Sequence, residues 1–379
     1  MTLGADERER YSRHLLLPEI GEAGQEKLKA ARVLVVGAGG LGSPASLYLA
    51  AAGVGTLGII DHDRVELSNL QRQLLFDTAS VGAGKAVTAR ARLRALNGEI
   101  NVVAHEMELR AANALELLRQ YDCIVDGSDR LTTRYLVNDA CVLLKRPLVS
   151  AAIHRFEGQA MTYLPGQGPC YRCLFPESSA TVAPNCAEAG VLGVLPGMLG
   201  TLQATEAIKV LLGIGAPLVG RLMTYDALAM EWREFRFRQR ADCAVCGTAP
   251  SIMTLADSEA ACSTGTAGKW PRYKPAELQQ MLQGAGSGQG KPPALIDVRE
   301  QHEYAVGHLP GSVNIPLGDL GQRLEELPVD SAVVFICRSG RRSQSACELS
   351  ARGGLHSVAD LDGGLIAWAA AIDPSIEVA

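Results

Sequence analysis

The chain has 379 residues, more than one ordinary hydrophobic core accommodates, so two domains are expected. Hydrophobic residues make up 47% and charged residues 20%, an ordinary globular balance, and a net charge of -5 leaves no general basic surface for nucleic acid. The charged N-terminus lacks the apolar run of a signal peptide, and the most apolar stretch, Val191 to Val219, is broken by Pro196, Glu206 and Lys209; a buried amphipathic helix is expected there, no membrane span, and a cytoplasmic location.

Residues 32–36 (RVLVV) form an apolar run that leads into Gly37, and a second run, 56–60, ends at Asp61. Further strands are predicted at 100–105, 121–126 and 146–151, with helical patterns at 42–52, 84–96, 111–120 and 131–144. Strands and helices alternating at these lengths imply an α/β fold, a Rossmann-like, mostly parallel sheet with helices on both faces. Residues 155–163 and 221–237 read as added antiparallel strands. The predicted organisation is a first domain over 1–249, a linker over 250–271 and a smaller α/β domain over 272–379, with strands at 294–298, 312–315 and 332–337.

Gly37, Gly39, Gly40 and Gly42 lie between a strand and a helix. Glycines let the backbone approach a phosphate, and a helix N-terminus supplies amide donors. The pattern by itself also suits a nicotinamide dehydrogenase, with Asp61 as the ribose-binding acid. The residues that follow favour a triphosphate. Asp63 and the polar run Ser68-Asn69-Leu70-Gln71-Arg72-Gln73 come first, then Lys85, then Asp129 after another strand. Arg and Lys beside a glycine loop compensate several phosphate charges, and a second acid offers oxygen to Mg²⁺.

This order of motifs over residues 5–248 resembles the MoeB/ThiF adenylating family, relatives of the ubiquitin-activating enzymes. The resemblance implies that ATP binds with Asp61 on the ribose, Asn69, Arg72 and Lys85 on the phosphates, and Asp129 on Mg²⁺. It also implies a homodimer in which Arg13, from YSRHLLLPEIG, reaches the neighbouring subunit's phosphates. The family often has Asn after the metal-binding acid; this chain has Arg130.

Ten cysteines in a cytoplasmic chain are expected to be reduced and to serve metal or thiol chemistry. Cys170 with Cys173 and Cys243 with Cys246 form two C-x-x-C pairs, and four thiolates close a structural Zn²⁺ shell; a redox dithiol would usually open a helix of a thioredoxin-like unit. Cys186 lies in a loop rich in small residues and Pro, and its surroundings resemble the loop-cysteine segment of the same family, which implies a role as acyl thioester or disulfide partner.

Cys337-Arg338-Ser339-Gly340-Arg341-Arg342 follows an apolar strand and precedes a helix. That placement sets the sulfur in a cradle of backbone N–H groups beside three arginines, which favours a thiolate and a persulfide anion. A cysteine phosphatase would place Arg sixth after the nucleophile, where this chain has Ser343. The loop resembles that of rhodaneses, as do segments 295–317 and 361–368, over about residues 272–372. Asp297, Arg299, Glu303 and His308 are expected to be structural.

Together the two halves resemble the MoeZ-type adenylyltransferase/sulfurtransferases and their eukaryotic counterparts. The implied function is ATP-dependent adenylation of the C-terminal Gly-Gly carboxylate of a ubiquitin-like sulfur-carrier protein. Sulfur then comes from a persulfide on Cys337, itself loaded by a donor such as a cysteine desulfurase. Such carriers serve molybdenum-cofactor and thiamine biosynthesis, tRNA thiolation and cysteine synthesis. A nucleotide-dependent oxidoreductase with an accessory thiol domain, or a non-catalytic carrier-binding adaptor, would leave the charged residues of the first domain without a use.

Overall fold

The computed structural model describes residues 2–176, 190–257, 270–285, 292–328, 331–355 and 357–378. The chain divides into two compact units, Met1–Glu259 and Ala260–Ala379. Among the described residues, no helix is long and apolar enough to cross a membrane.

The first unit is built on an eight-stranded sheet: β1 Arg32–Val36, β2 Thr56–Ile60, β3 Asn101–His105, β4 Cys123–Asp126, β5 Leu148–His154, β6 Glu157–Tyr163, β7 Arg221–Asp226 and β8 Glu231–Arg236. Their spatial order is β3-β2-β1-β4-β5-β6-β7-β8. The first five strands run parallel, and β6 to β8 add antiparallel neighbours. The parallel strands are nearly continuous apolar runs because both faces are covered. Alternate residues point to opposite faces. Val33, Val35, Leu57, Ile59 and Val125 enter one buried cluster with Leu28, Leu49 and Leu93 from helices. Leu34, Val36, Ile60 and Ile124 enter the other, with Leu117, Leu118 and Val137.

β1 lies between β2 and β4, so the strand order reverses direction beside it. A crevice opens at the carboxyl ends of strands at such a switch point, and this is where the site forms. The 131–144 pattern is the helix Leu131–Leu144, and the apolar stretch after Val191 contains the helix Leu195–Leu212, with Pro196 in its first turn and Gly213 (φ 71°) at its end. The segment 221–237 is two strands, because Asp226 Oδ1 accepts the amides of Leu228 and Ala229 and turns the chain. Residues 250–257 lie against the first unit: Ile252 and Leu255 pack on its core, and Asp257 accepts the Ala111 amide at 2.6 Å.

The second unit has a five-stranded parallel sheet: β9 Arg272–Tyr273, β10 Ala294–Asp297, β11 Val313–Asn314, β12 Val333–Ile336 and β13 Val358–Leu361, in the order β11-β10-β12-β13-β9. β12 is central and delivers the chain to Cys337, after which the helix Arg341–Arg352 begins. The strand β13 has a weak sequence signal because Asp360 interrupts it; that side chain is fully buried and paired with Arg272 at 3.2 Å.

Candidate functional site

The glycine loop follows β1 directly. Gly37 has φ 87°, a left-handed conformation that favours glycine, and its amide donates to the Ile60 carbonyl at 2.8 Å, joining the ends of β1 and β2. A Cβ on Gly42 would lie 1.8 Å from the Gly37 carbonyl oxygen, so no side chain fits there and the loop folds tightly into the helix Gly42–Ala51. The amide donors and positive end of that helix face anions well.

One cleft brings together Gly37, Gly39, Gly40, Asp61, Asp63, Arg72, Gln73, Lys85 and Asp129. Gly42 stands behind this lining. Ser68, Asn69, Leu70 and Gln71 also stand outside it; the Ser68 carbonyl accepts the Arg72 guanidinium at 3.0 Å, and Asn69 Oδ1 accepts the Glu66 amide at 3.1 Å. Ser68 and Asn69 thus brace Arg72, whose amide also donates to the Asn69 carbonyl at 3.1 Å, rather than line the cleft. Arg13 is exposed on the short helix Ser12–Leu15 and does not line the cleft of its own chain.

Asp61 ties the floor together. Its Oδ2 accepts the Ala38 amide at 2.8 Å and its Oδ1 the Asp63 amide at 2.9 Å. Burial nevertheless pushes its carboxyl above the ordinary value, against the Lys85 charge and these two amides. Lys85 is buried, and its ammonium lies 3.1 Å from Asp63. Asp61, His62 and Asp63 also lie close enough to share an ion, but amides hold Asp61 and Lys85 holds Asp63. Asp129 has no hydrogen bond or ion pair among the described residues, so it keeps carboxylate oxygen for a hard cation such as Mg²⁺.

The cleft also has walls that sequence reasoning missed. Met107, Leu109 and Ile153 are apolar, and Glu108, Ser128, Thr133 and Arg134 are polar; Arg130, singled out in the sequence as the residue after Asp129, lines the cleft with them. Arg130 pairs with Glu108 at 3.3 Å. A signal for Arg134 exists in the sequence: it is a charged residue on the buried side of a helical pattern, one turn after Arg130.

The two C-x-x-C pairs meet. Sγ separations are 4.0 Å for Cys170–Cys173, 3.6 Å for Cys170–Cys243 and 3.3 Å for Cys173–Cys246. A tetrahedral Zn²⁺ with Zn–S of about 2.3 Å places its sulfurs about 3.8 Å apart, so the four thiols fit that ion. The Arg240 amide donates to Cys173 Sγ at 3.5 Å. The intervening helix is fastened to its neighbour: the Tyr171 amide donates to Asn138 Oδ1 at 2.8 Å, and Arg172 binds Asp139 through bonds of 2.7 and 2.8 Å. Cys186 lies outside the described residues.

In the second unit Cys337 Sγ is buried at the end of β12 and accepts the amides of Gly340 at 3.2 Å and Ser343 at 3.4 Å. Gly340 turns the loop with φ 87°. The loop is braced from behind by the Leu365 amide on the Cys337 carbonyl at 2.9 Å and the Ile366 amide on the Arg338 carbonyl at 3.0 Å. A Cβ on Gly364 would lie 2.3 Å from the Cys337 carbonyl oxygen, so the brace needs glycine there. The three arginines are unequal. Arg342 makes a bidentate pair with Glu303 at 2.6 and 2.7 Å, which spends its charge, whereas Arg338 and Arg341 have no ion pair among the described residues. Asp297 and Arg299 form a fully buried pair at 2.8 Å, and His308 stacks on Tyr304 at 3.8 Å. None of these touches the sulfur.

The ThiF family model matches residues 11–245, and the rhodanese-like domain model matches residues 274–371. The chain is 44% identical to a probable adenylyltransferase/sulfurtransferase MoeZ of Mycobacterium tuberculosis, covering 99% of this chain and 96% of that protein. It is 43% identical to the adenylyltransferase and sulfurtransferase MOCS3-2 of Zea mays, covering 100% of this chain and 82% of that one. Among solved structures, E. coli MccB with ATP superposes with a TM-score of 0.54 at 26% identity, over 64% of this chain and 75% of that chain.

Proposed function

Because the chain belongs to the ThiF family and carries a rhodanese-like domain, we propose that it adenylates the C-terminal carboxylate of a ubiquitin-like sulfur-carrier protein and converts it to a thiocarboxylate. Its enzyme class is adenylyltransferase and sulfurtransferase, the class named for relatives that match it over 82% and 96% of their length. The observation that carries the reading is the pairing, in one chain, of a cleft holding Arg72, Lys85 and Asp129 with a buried cysteine cradled by two amides.

The carrier's terminal carboxylate is ionised at neutral pH, so it needs no general base. It attacks the α-phosphorus of ATP; the bond to pyrophosphate breaks and an acyl-adenylate forms. Lys85 and Arg72 neutralise charge on the phosphates as pyrophosphate leaves, and the glycine-loop amides orient them. Mg²⁺, when bound, would be held by Asp129 and would screen the phosphate charge. Arg13 of the neighbouring subunit in a homodimer adds a further cation.

The sulfur step uses the second unit. A donor such as a cysteine desulfurase loads a persulfide on Cys337. Its terminal sulfur, as the anion, attacks the acyl carbon; AMP departs with the C–O bonding pair, leaving an acyl disulfide between carrier and Cys337. The Cys186 thiolate then attacks Cys337 Sγ. The S–S bond to the carrier breaks, the thiocarboxylate leaves, and an external dithiol reduces the Cys186–Cys337 disulfide. Four thiolates on Zn²⁺ leave no open position, so that site supports the fold and takes no part in catalysis.

The test is a complete reaction: chain, ATP, Mg²⁺, a persulfide donor and a Gly-Gly carrier. The carrier's mass should rise by the replacement of one oxygen by sulfur. Several candidate carriers left unchanged in mass, with no carrier-dependent ATP–pyrophosphate exchange, would sink the reading.

A further inference from the structure

The steps above give no part to Arg134, which is only 9% exposed and lines the nucleotide cleft. Its Nη2 donates to the Ser128 carbonyl at 3.0 Å, while its Nε has no hydrogen-bond partner among the described residues. Close to it lies Asp126, the last residue of β4, with no exposed surface. Asp126 Oδ1 accepts the Ser128 amide at 3.0 Å and the Ser128 hydroxyl at 2.6 Å; the Ser150 hydroxyl reaches Oδ2 at 3.4 Å, and Gln203 holds the Asp126 carbonyl at 2.6 Å. Burial pushes the Asp126 carboxyl above its ordinary value, and the strongest force pulling it back is the Arg134 charge. A buried carboxylate is tolerated when it is paired and hydrogen-bonded.

The segment held in this way is Gly127-Ser128-Asp129. It has no slack. A Cβ on Gly127 would lie 2.8 Å from the Gly42 amide nitrogen, and one on Gly37 would lie 3.1 Å from the Gly127 carbonyl oxygen. The segment therefore stacks directly on the glycine loop, and a shift in it moves both walls of the cleft.

We propose that Arg134 is a positioning residue: its Nη2 holds the Ser128 carbonyl while the Ser128 amide and hydroxyl hold the Asp126 carboxylate, and together they clamp the turn that presents Asp129 to the nucleotide-bound cation. This rests on the adenylation reading for its consequence. Partners that orient metal ligands typically cost about 10–100-fold in metal affinity or activity when removed.

The test uses the full chain with Arg134→Gln, Asp126→Asn, the double variant and Arg134→Lys. ATP affinity is measured by calorimetry with and without Mg²⁺, alongside thermal melting. Arg134→Gln should keep the Mg²⁺-free affinity and lose the Mg²⁺-dependent gain by roughly 10–100-fold. The double variant should recover part of that loss, because no buried charge is left unpaired; Arg134→Lys, which keeps the charge, should also recover part. Parental Mg²⁺-dependent affinity in Arg134→Gln overturns the clamp. So does a double variant no better than Arg134→Gln. If Arg134→Gln fails to fold, the comparison of Arg134→Lys with the parent decides in the same direction. Parental protein that binds Mg²⁺–ATP in an Arg134-dependent way without exchanging pyrophosphate overturns the function and leaves the clamp standing.

Discussion

The Lys85 ammonium sits 3.1 Å from the Asp63 carboxylate, the lysine 8% exposed and the aspartate 53%. The carboxylate offsets the charge of a buried ammonium at the cleft floor, and an incoming triphosphate offers a stronger partner on the open side. Lys85→Ala should lower carrier-dependent ATP–pyrophosphate exchange by roughly 10²–10³-fold, the scale of losing one charge-stabilising donor. Asp63→Asn should cost less, because the cation remains. Parental exchange by Lys85→Ala would remove this residue from the chemistry.

The two C-x-x-C pairs stand 73 residues apart in sequence, yet their sulfurs approach within 3.3 to 4.0 Å. A metal that closes so long a loop contributes directly to folding. Cys243→Ser should lose stoichiometric zinc by elemental analysis and lower the melting temperature of the first unit. Full zinc retention in that variant would disprove the four-thiolate shell.

The proposed persulfide cysteine, Cys337, and the proposed nucleotide cleft lie in separate units, so their losses should separate. Cys337→Ala should abolish thiocarboxylate formation and leave ATP–pyrophosphate exchange at the parental rate. Arg338→Ala should slow alkylation of Cys337 by iodoacetamide, because Arg338 is a loop cation with no acidic partner among the described residues. Arg342→Ala should slow it less, since Glu303 already spends that charge. Equal effects of the two arginines would refute this division.

Burial acts to raise the Glu303 carboxyl, but hydrogen bonds from Arg342 and the Glu300 amide, with the Arg342 charge, bring it below the ordinary value. A carboxyl lowered by folding stabilises the native state above its unfolded value, about 4.3, and that contribution fades as pH falls through the lower folded value. The second unit should therefore lose urea resistance as pH drops below about 4.3. Glu303→Gln should reduce this acid dependence and lower stability at neutral pH by about 1–3 kcal/mol. Unchanged acid dependence in the variant would place its origin elsewhere.

Much of each site was legible because its parts are local. The glycine loop, Asp61 and Asp129 follow strand ends, where the turn of a βα unit sets both backbone and residue type, and Lys85 opens the helix Lys85–Leu96. The Cys337 loop was legible for the same reason: strand, six-residue turn and helix are contiguous. The elements that stayed hidden carry a weak periodic signal. β13 is one of them, its apolar run interrupted by Asp360, which Arg272 makes tolerable from a distant part of the chain. The walls Met107, Leu109 and Ile153 were hidden too, since an apolar residue at a strand end looks the same whether it meets core or ligand.

By itself the sequence determined the two-part α/β architecture, the family, the chemical types at each site and the two cysteine pairs. Those follow from residue identity and short-range spacing, which fix local backbone geometry. Only the tertiary structure decided which charges remain available. It paired Arg342 with Glu303 and Lys85 with Asp63, left Arg338 and Asp129 without ion pairs among the described residues, and set Arg134 on the Ser128 carbonyl. Such pairings join residues from different elements, and burial strengthens them. Spacing along the chain does not encode which side chains meet across packed layers.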